Sequence, residues 1–144
     1  MHREHLLLGL MLLWGAGGCG VVAETVPVTG RVEIAGQQAD DISVQFVPDS
    51  ADGKPGFKAS GVTDGAGRFT LHCEDGRAGA VPGRYRVLLD DLKVYANPRG
   101  DVPAAERKQL IAPRFGKKYR AVVSTPLKIT VEPSAPEITL EVKP

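Results

Sequence analysis

Val26-Pro27-Val28-Thr29-Gly30-Arg31-Val32-Glu33-Ile34 is the stretch on which the fold reading turns. Val26, Val28, Gly30, Val32 and Ile34 share one face, and Thr25, Thr29, Arg31 and Glu33 the other, the period of two expected of a half-buried strand. Working outward, Gly36-Gln37-Gln38 reads as a turn, and Ile42, Val44 and Phe46 alternate in a second strand that stops at Val47-Pro48, where proline removes a ladder donor. Asp49 to Gly56 is a polar loop rich in turn formers. Phe57–Val62 reads as a third strand, Thr63-Asp64-Gly65-Ala66-Gly67 as a tight turn, and Arg68–Cys73 as a returning strand with Phe69, Leu71 and Cys73 inward. Arg84–Asp90 is a fifth, facing the core with Tyr85, Val87 and Leu89. Leu127–Glu132 and Glu137–Val142, joined by Pro133-Ser134-Ala135-Pro136, read as a closing hairpin. Short alternating runs separated by turn signals predict an all-β, seven-stranded antiparallel Greek-key sandwich over residues 26–144.

Upstream of that domain the composition changes. Leu6 to Trp14 is a run of nine apolar residues after a short basic start, followed by Gly15, Ala16, Gly17, Gly18 and Cys19. A spanning helix needs ~20 apolar residues, so nine fits the apolar region of an export signal instead. Small residues running into a cysteine resemble the lipobox of bacterial lipoproteins, in which the cysteine is acylated and becomes the first residue after cleavage. Ala16 departs from that pattern, where leucine is usual. The resemblance implies a signal peptide over 1–18, lipidation at Cys19 and a tether over 19–25. The alternative is ordinary cleavage and secretion, at Val21-Val22-Ala23 or after Gly18. An acylated Cys19 leaves Cys73 without an intrachain partner, so Cys73 is expected in the core; a Cys19–Cys73 disulfide is the rival.

Residues 91–125 are long, basic and poorly periodic, and are expected to form a surface loop. Asp101 could cap a short helix with Pro103 in its first turn, running to Ile111. Between residues 97 and 120, seven cations face only Asp101 and Glu106. Arg107, Lys108, Arg114, Lys117, Lys118 and Arg120 are the candidates for contact with anionic lipid headgroups, an anionic glycan or an envelope protein, against the plainer reading of a solvated loop. The net charge of +1 supplies no global field for nucleic acid.

Other clusters favour structure over chemistry. His72 and Cys73 are neighbours on a strand and point to opposite faces, so the imidazole cannot activate the thiol. His72 and Glu74 share a face, but a closed zinc site needs four ligands, and no other histidine follows the leader. Asp64-Gly65-Ala66-Gly67 lacks the oxygen ligands of a calcium loop and reads as turn chemistry. Arg99-Gly100-Asp101 spells an integrin-binding tripeptide that loops produce by chance.

Val28-Thr29-Gly30-Arg31-Val32 followed by Val44-Gln45-Phe46-Val47-Pro48, then Thr63-Asp64-Gly65-Ala66-Gly67-Arg68-Phe69 and Pro82-Gly83-Arg84-Tyr85-Arg86-Val87, resemble the carboxypeptidase regulatory-like domain, a transthyretin-like (prealbumin-like) β-sandwich. Ile111-Ala112-Pro113-Arg114-Phe115 and Lys118-Tyr119 are loosely similar to the Ile-Pro-x-x-Tyr segment of its lipoprotein members. The resemblance spans 26–142 and implies a non-catalytic accessory module with no cofactor and no active site to carry over. The alternatives are a small hydrolase on the same fold, which would need His72 among convergent polar groups, and a carbohydrate binder, which would need aromatic platforms at Tyr95 or Tyr119.

Overall fold

The computed structural model describes residues 23–49, 56–94, 112–134 and 137–144. They form an all-β structure of two sheets packed face to face. The strands are β1 (Thr29–Ile34), β2 (Gln37–Gln38), β3 (Ile42–Pro48), β4 (Ala59–Val62), β5 (Arg68–Thr70), β6 (His72–Cys73), β7 (Gly83–Asp91), β8 (Lys128–Val131) and β9 (Ile138–Val142). One sheet has β1 at its centre, with β2 and β5 along one side and β9 along the other; the second runs β6-β4-β3-β7-β8.

The alternation in the sequence becomes the core. Val28 and Val32 from the first sheet, and Ile42, Val44, Phe46, Val87 and Leu89 from the second, are all essentially closed to solvent. Phe46 sits between Phe69 at 6.4 Å and Tyr85 at 5.7 Å, with rings tilted rather than stacked, as ring quadrupoles prefer. Burial of each such side chain contributes about 1.5–3 kcal/mol. The face of β1 that packs on Phe69 has room only for glycine at position 30, where an added Cβ would lie 2.6 Å from the ring. The β1–β2 hairpin closes through Ala35 and Gly36, both at positive φ (51° and 78°), the pair of left-handed residues that a two-residue hairpin loop requires.

Three sequence expectations change. The run Arg68–Cys73 is not one strand: β5 pairs with β1, Leu71 crosses between the sheets, and β6 pairs with β4. Leu71 donates its N–H to Val28 and accepts from Gly79, so its backbone is satisfied in transit. The last two runs are not a hairpin: β8 adds antiparallel to β7 in one sheet, whereas β9 lies parallel to β1 in the other, from Gly30↔Ile138 to Ile34↔Val142. The sandwich is therefore not wholly antiparallel. Residues 132–137 can reach ~20 Å when extended, ample for the ~10 Å between packed sheets. Finally, residues 37–38 form β2 rather than only a turn, which with the split at Leu71 brings the strands among the described residues to nine.

Candidate functional site

The described part of the basic segment is a strap, residues 112–127, that closes the side of the sandwich between β7 and β9. Phe115 and Tyr119 are four residues apart and both buried, in an edge-to-face contact at 5.7 Å. The Tyr119 hydroxyl accepts from the Lys143 N–H at 3.0 Å, tying the strap to the end of β9. Thr125 donates to the Val87 carbonyl at 2.7 Å, and Val87 N–H to Leu127, so the strap's end continues the sheet beside β7. A surface loop was expected here; instead its aromatic side chains plug the core.

Arg114 locks the strap in place. Its Nη2 and Nε donate to the two carboxylate oxygens of Asp91 at 2.7 and 2.9 Å, and its own N–H adds a third bond at 3.2 Å. Nη2 also reaches the Asp40 carbonyl at 2.7 Å, and Lys93 pairs with the Asp40 carboxylate at 2.7 Å. Asp91 is only 3% exposed. Burial pushes its carboxyl up, but the hydrogen bonds and charge of Arg114, with the Lys93 N–H, outweigh this and hold it below the usual value. The Asp40 carboxyl is also lowered, first by its hydrogen bond with Lys93, and the Arg114 guanidinium is raised by Asp91. The cleft beside this cluster, between Val94, Pro113 and Phe115, has a volume of about 40 Å³, room for water but not for an organic substrate.

The strap's remaining cations lie on its 3-10 turn beside β7, and further cations stand on the outer face of β7 and β8. Lys117–Arg120 is a single 3-10 turn in which Lys117 and Lys118 are exposed, with Lys118 over the Tyr119 ring at 5.1 Å. Arg120 pairs with Asp90, an outward residue of β7, at 3.0 Å. On the same face, Arg84 and Arg86 of β7 stand opposite Thr130 and Lys128 of β8. Arg86 lies 3.7 Å from Asp49 and donates to the Val122 carbonyl at 3.2 Å. That bond places the turn Ala121–Ser124 beside the basic face. The turn is closed by Ser124 and Thr125 N–H groups on the Ala121 carbonyl, and it displays Val123 at 91% exposure with Val122 next to it.

Of the sequence candidates, Arg114 is thus engaged with Asp91 and Asp40, Arg120 with Asp90, and Lys117 and Lys118 project outward. Cys19, Arg107, Lys108, Tyr95, the Arg99–Asp101 tripeptide and the helix expected from Asp101 lie outside the described residues. Sequence reasoning did not bring Lys128 or the Val122–Val123 turn to this face. Alternation already turned Arg84 and Arg86 outward, but only the β7–β8 pairing sets Lys128 beside them.

Cys73 is buried as a free thiol and His72 is exposed on the opposite side of β6. Glu74 accepts from the Lys58 N–H, and Asp64 caps its own turn by accepting from Ala66 and Arg68 at 2.9 Å. Among the described residues no group of His, Cys, Asp and Glu is arranged to hold a metal, and no helix is long and apolar enough to cross a membrane. Two open depressions of about 300 Å³ lie on the four-stranded sheet, one between Gly36, Glu141 and Lys143, the other between Thr29, Arg68 and Glu137. Neither contains a histidine or cysteine. No family model, no curated protein and no solved structure matches this chain.

Proposed function

We propose that this chain is an exported module of the bacterial cell envelope, acylated at Cys19, whose Greek-key, transthyretin-like sandwich is a carboxypeptidase regulatory-like domain that binds or scaffolds without catalysing a reaction. The observation that carries the reading is the order of the first residues: a nine-residue apolar run, four small residues, Cys19, and then a β-structure whose first contacts come within a few residues of that cysteine. Arg77 holds the Ala23 carbonyl and Val26 bridges Ala80, so a chain cleaved before Cys19 would leave only a brief tether between lipid and domain. Several acyl chains would make such an anchor stable, at ~0.8 kcal/mol per buried methylene. Gly20 does not resemble the aspartate that some bacteria use for retention in the inner membrane, which favours the outer membrane.

The test is intact-mass and N-terminal peptide analysis of the protein from the membrane fraction of an expressing bacterium, together with metabolic labelling by a palmitate analogue. Wild type is expected to start at an acylated Cys19 and to label, and Cys19→Ala to lose the label. Equal labelling of the two, or a mature N-terminus at Glu24, would overturn the anchored reading in favour of secretion.

A further inference from the structure

We infer that the outer face of the five-stranded sheet, together with the Val122–Val123 turn, is a surface that rests on an anionic lipid bilayer. The inference deepens the anchored reading and depends on it for bringing a bilayer near.

The total charge of +1 hides an asymmetry between the two outer faces. On the β7–β8 side, Arg84, Arg86, Lys128 and Arg120, with Lys117 and Lys118 on the strap turn that Arg120 ties to β7, stand against the carboxylates Asp49, Asp90 and Glu132, six to three. On the four-stranded sheet, the outward side chains of β1, β5 and β9 and the residues flanking β9 give Arg31, Arg68 and Lys143 against Glu33, Glu137 and Glu141, an even balance. Arg86 and Lys128 are cross-strand partners, and like charges directly opposite one another repel. A facing layer of phosphates relieves that repulsion as well as adding attraction.

The apolar turn narrows the occupant. Val122 and Val123 protrude from the basic face on a turn held by its own backbone bonds, with no packing role for Val123. Cations beside exposed aliphatic groups match the two layers of a membrane interface, headgroup phosphate and the acyl boundary beneath it. A soluble acidic polymer would use the charges but leave the valines in water.

The tether geometry agrees. Cys19 lies four residues before Ala23, so the acylated end can lie no more than ~14 Å from the domain. Val26 pairs with Ala80, three residues before β7 begins at Gly83. Val26 therefore joins the sandwich within ~15 Å of the start of β7, the Arg84 end of the basic face.

The test is co-sedimentation of the full chain carrying Cys19→Ala, so that no acyl group contributes, with vesicles of phosphatidylcholine alone or mixed with phosphatidylglycerol. Binding is expected to the mixed vesicles, to weaken as salt rises, and to be minor on phosphatidylcholine. Lys128→Glu should lower the affinity about tenfold, whereas Arg68→Glu, an equal charge change on the outer face of the four-stranded sheet, should leave it within about twofold. Val122→Ser with Val123→Ser should weaken binding several-fold without changing its salt dependence. Absence of binding to mixed vesicles, or equal losses from Lys128→Glu and Arg68→Glu, would overturn the surface. Acylation at Cys19 is scored separately by labelling, so either reading can fail alone.

Discussion

Replacing Arg114 by methionine tests how the strap is held. Methionine keeps much of the side chain's length and removes the charge. Asp91 is 3% exposed and takes two side-chain hydrogen bonds from Arg114. Its bonds from the N–H groups of residues 93 and 114 survive the substitution. Breaking a buried pair by removing one partner costs about 3–5 kcal/mol. Arg114 is itself 29% exposed, so water can take part of its place, and the surviving N–H donors keep the carboxylate partly satisfied. The expected loss is therefore ~2–3 kcal/mol. For a domain of this size each kcal/mol is worth ~4 °C, which puts the fall in Tm at roughly 8–12 °C by calorimetry. Urea titration should show the same loss in midpoint with an unchanged slope. The pH dependence has a definite sign. The Asp91 carboxyl lies below its ordinary 3.8 in the folded protein, so its pairing stabilises fully above that value and is lost as pH falls through the depressed one. Without Arg114, burial raises the same carboxyl, and protonation relieves the strain. The gap between wild type and Arg114→Met should therefore be widest near neutrality and close below about pH 3.8. A Tm within about 2 °C of wild type at pH 7, or a gap that widens on acidification, would refute the reading of Arg114 as the strap's lock.

Ala35 occupies the left-handed region at φ 51° in the β1–β2 turn, a conformation that asparagine tolerates better; Ala35→Asn should raise stability by about 0.5–1 kcal/mol in urea titration, and a loss would show that the turn is not held as described. Lys128→Glu turns the repulsive pairing with Arg86 into an attractive one and should stabilise the isolated domain by about 0.5 kcal/mol, seen as a small rise in Tm; a fall would mean that the two side chains do not face each other.

Much of the fold was legible because burial on one side of a sheet prints a period of two on the sequence. The inward sets of β1, β3 and β7 are the residues that alternation picked out. Alternation reports a face, however, and not a neighbour. Phe69, Leu71 and Cys73 all point inward, yet the chain changes sheets at Leu71. The two sheets share one core, so a segment that crosses from one to the other keeps its inward residues inward and the pattern unbroken. The same ambiguity hides the crossing between β8 and β9, where proline at 133 and 136 reads equally well as a hairpin turn. The strap was illegible for a different reason. Its buried residues, Phe115 and Tyr119, enter the core from irregular backbone, which prints no period, and charged neighbours make the segment look like solvated loop.

The basic face shows the same gap between composition and surface. Arg86 and Lys128 are far apart in sequence, so charge counted along the chain does not set them side by side. Pairing β8 with β7 puts the two in register, and the strap, fixed by Arg114 at one end and Thr125 at the other, holds Lys117 and Lys118 exposed on the turn that Arg120 ties to β7. The lock and the surface are therefore linked. Asp91 is inward and Asp90 outward on successive residues of β7: the first anchors the strap through Arg114, the second orients it through Arg120. The buried ion pair so sets where the exposed cations stand, although it is itself turned away from any partner they meet.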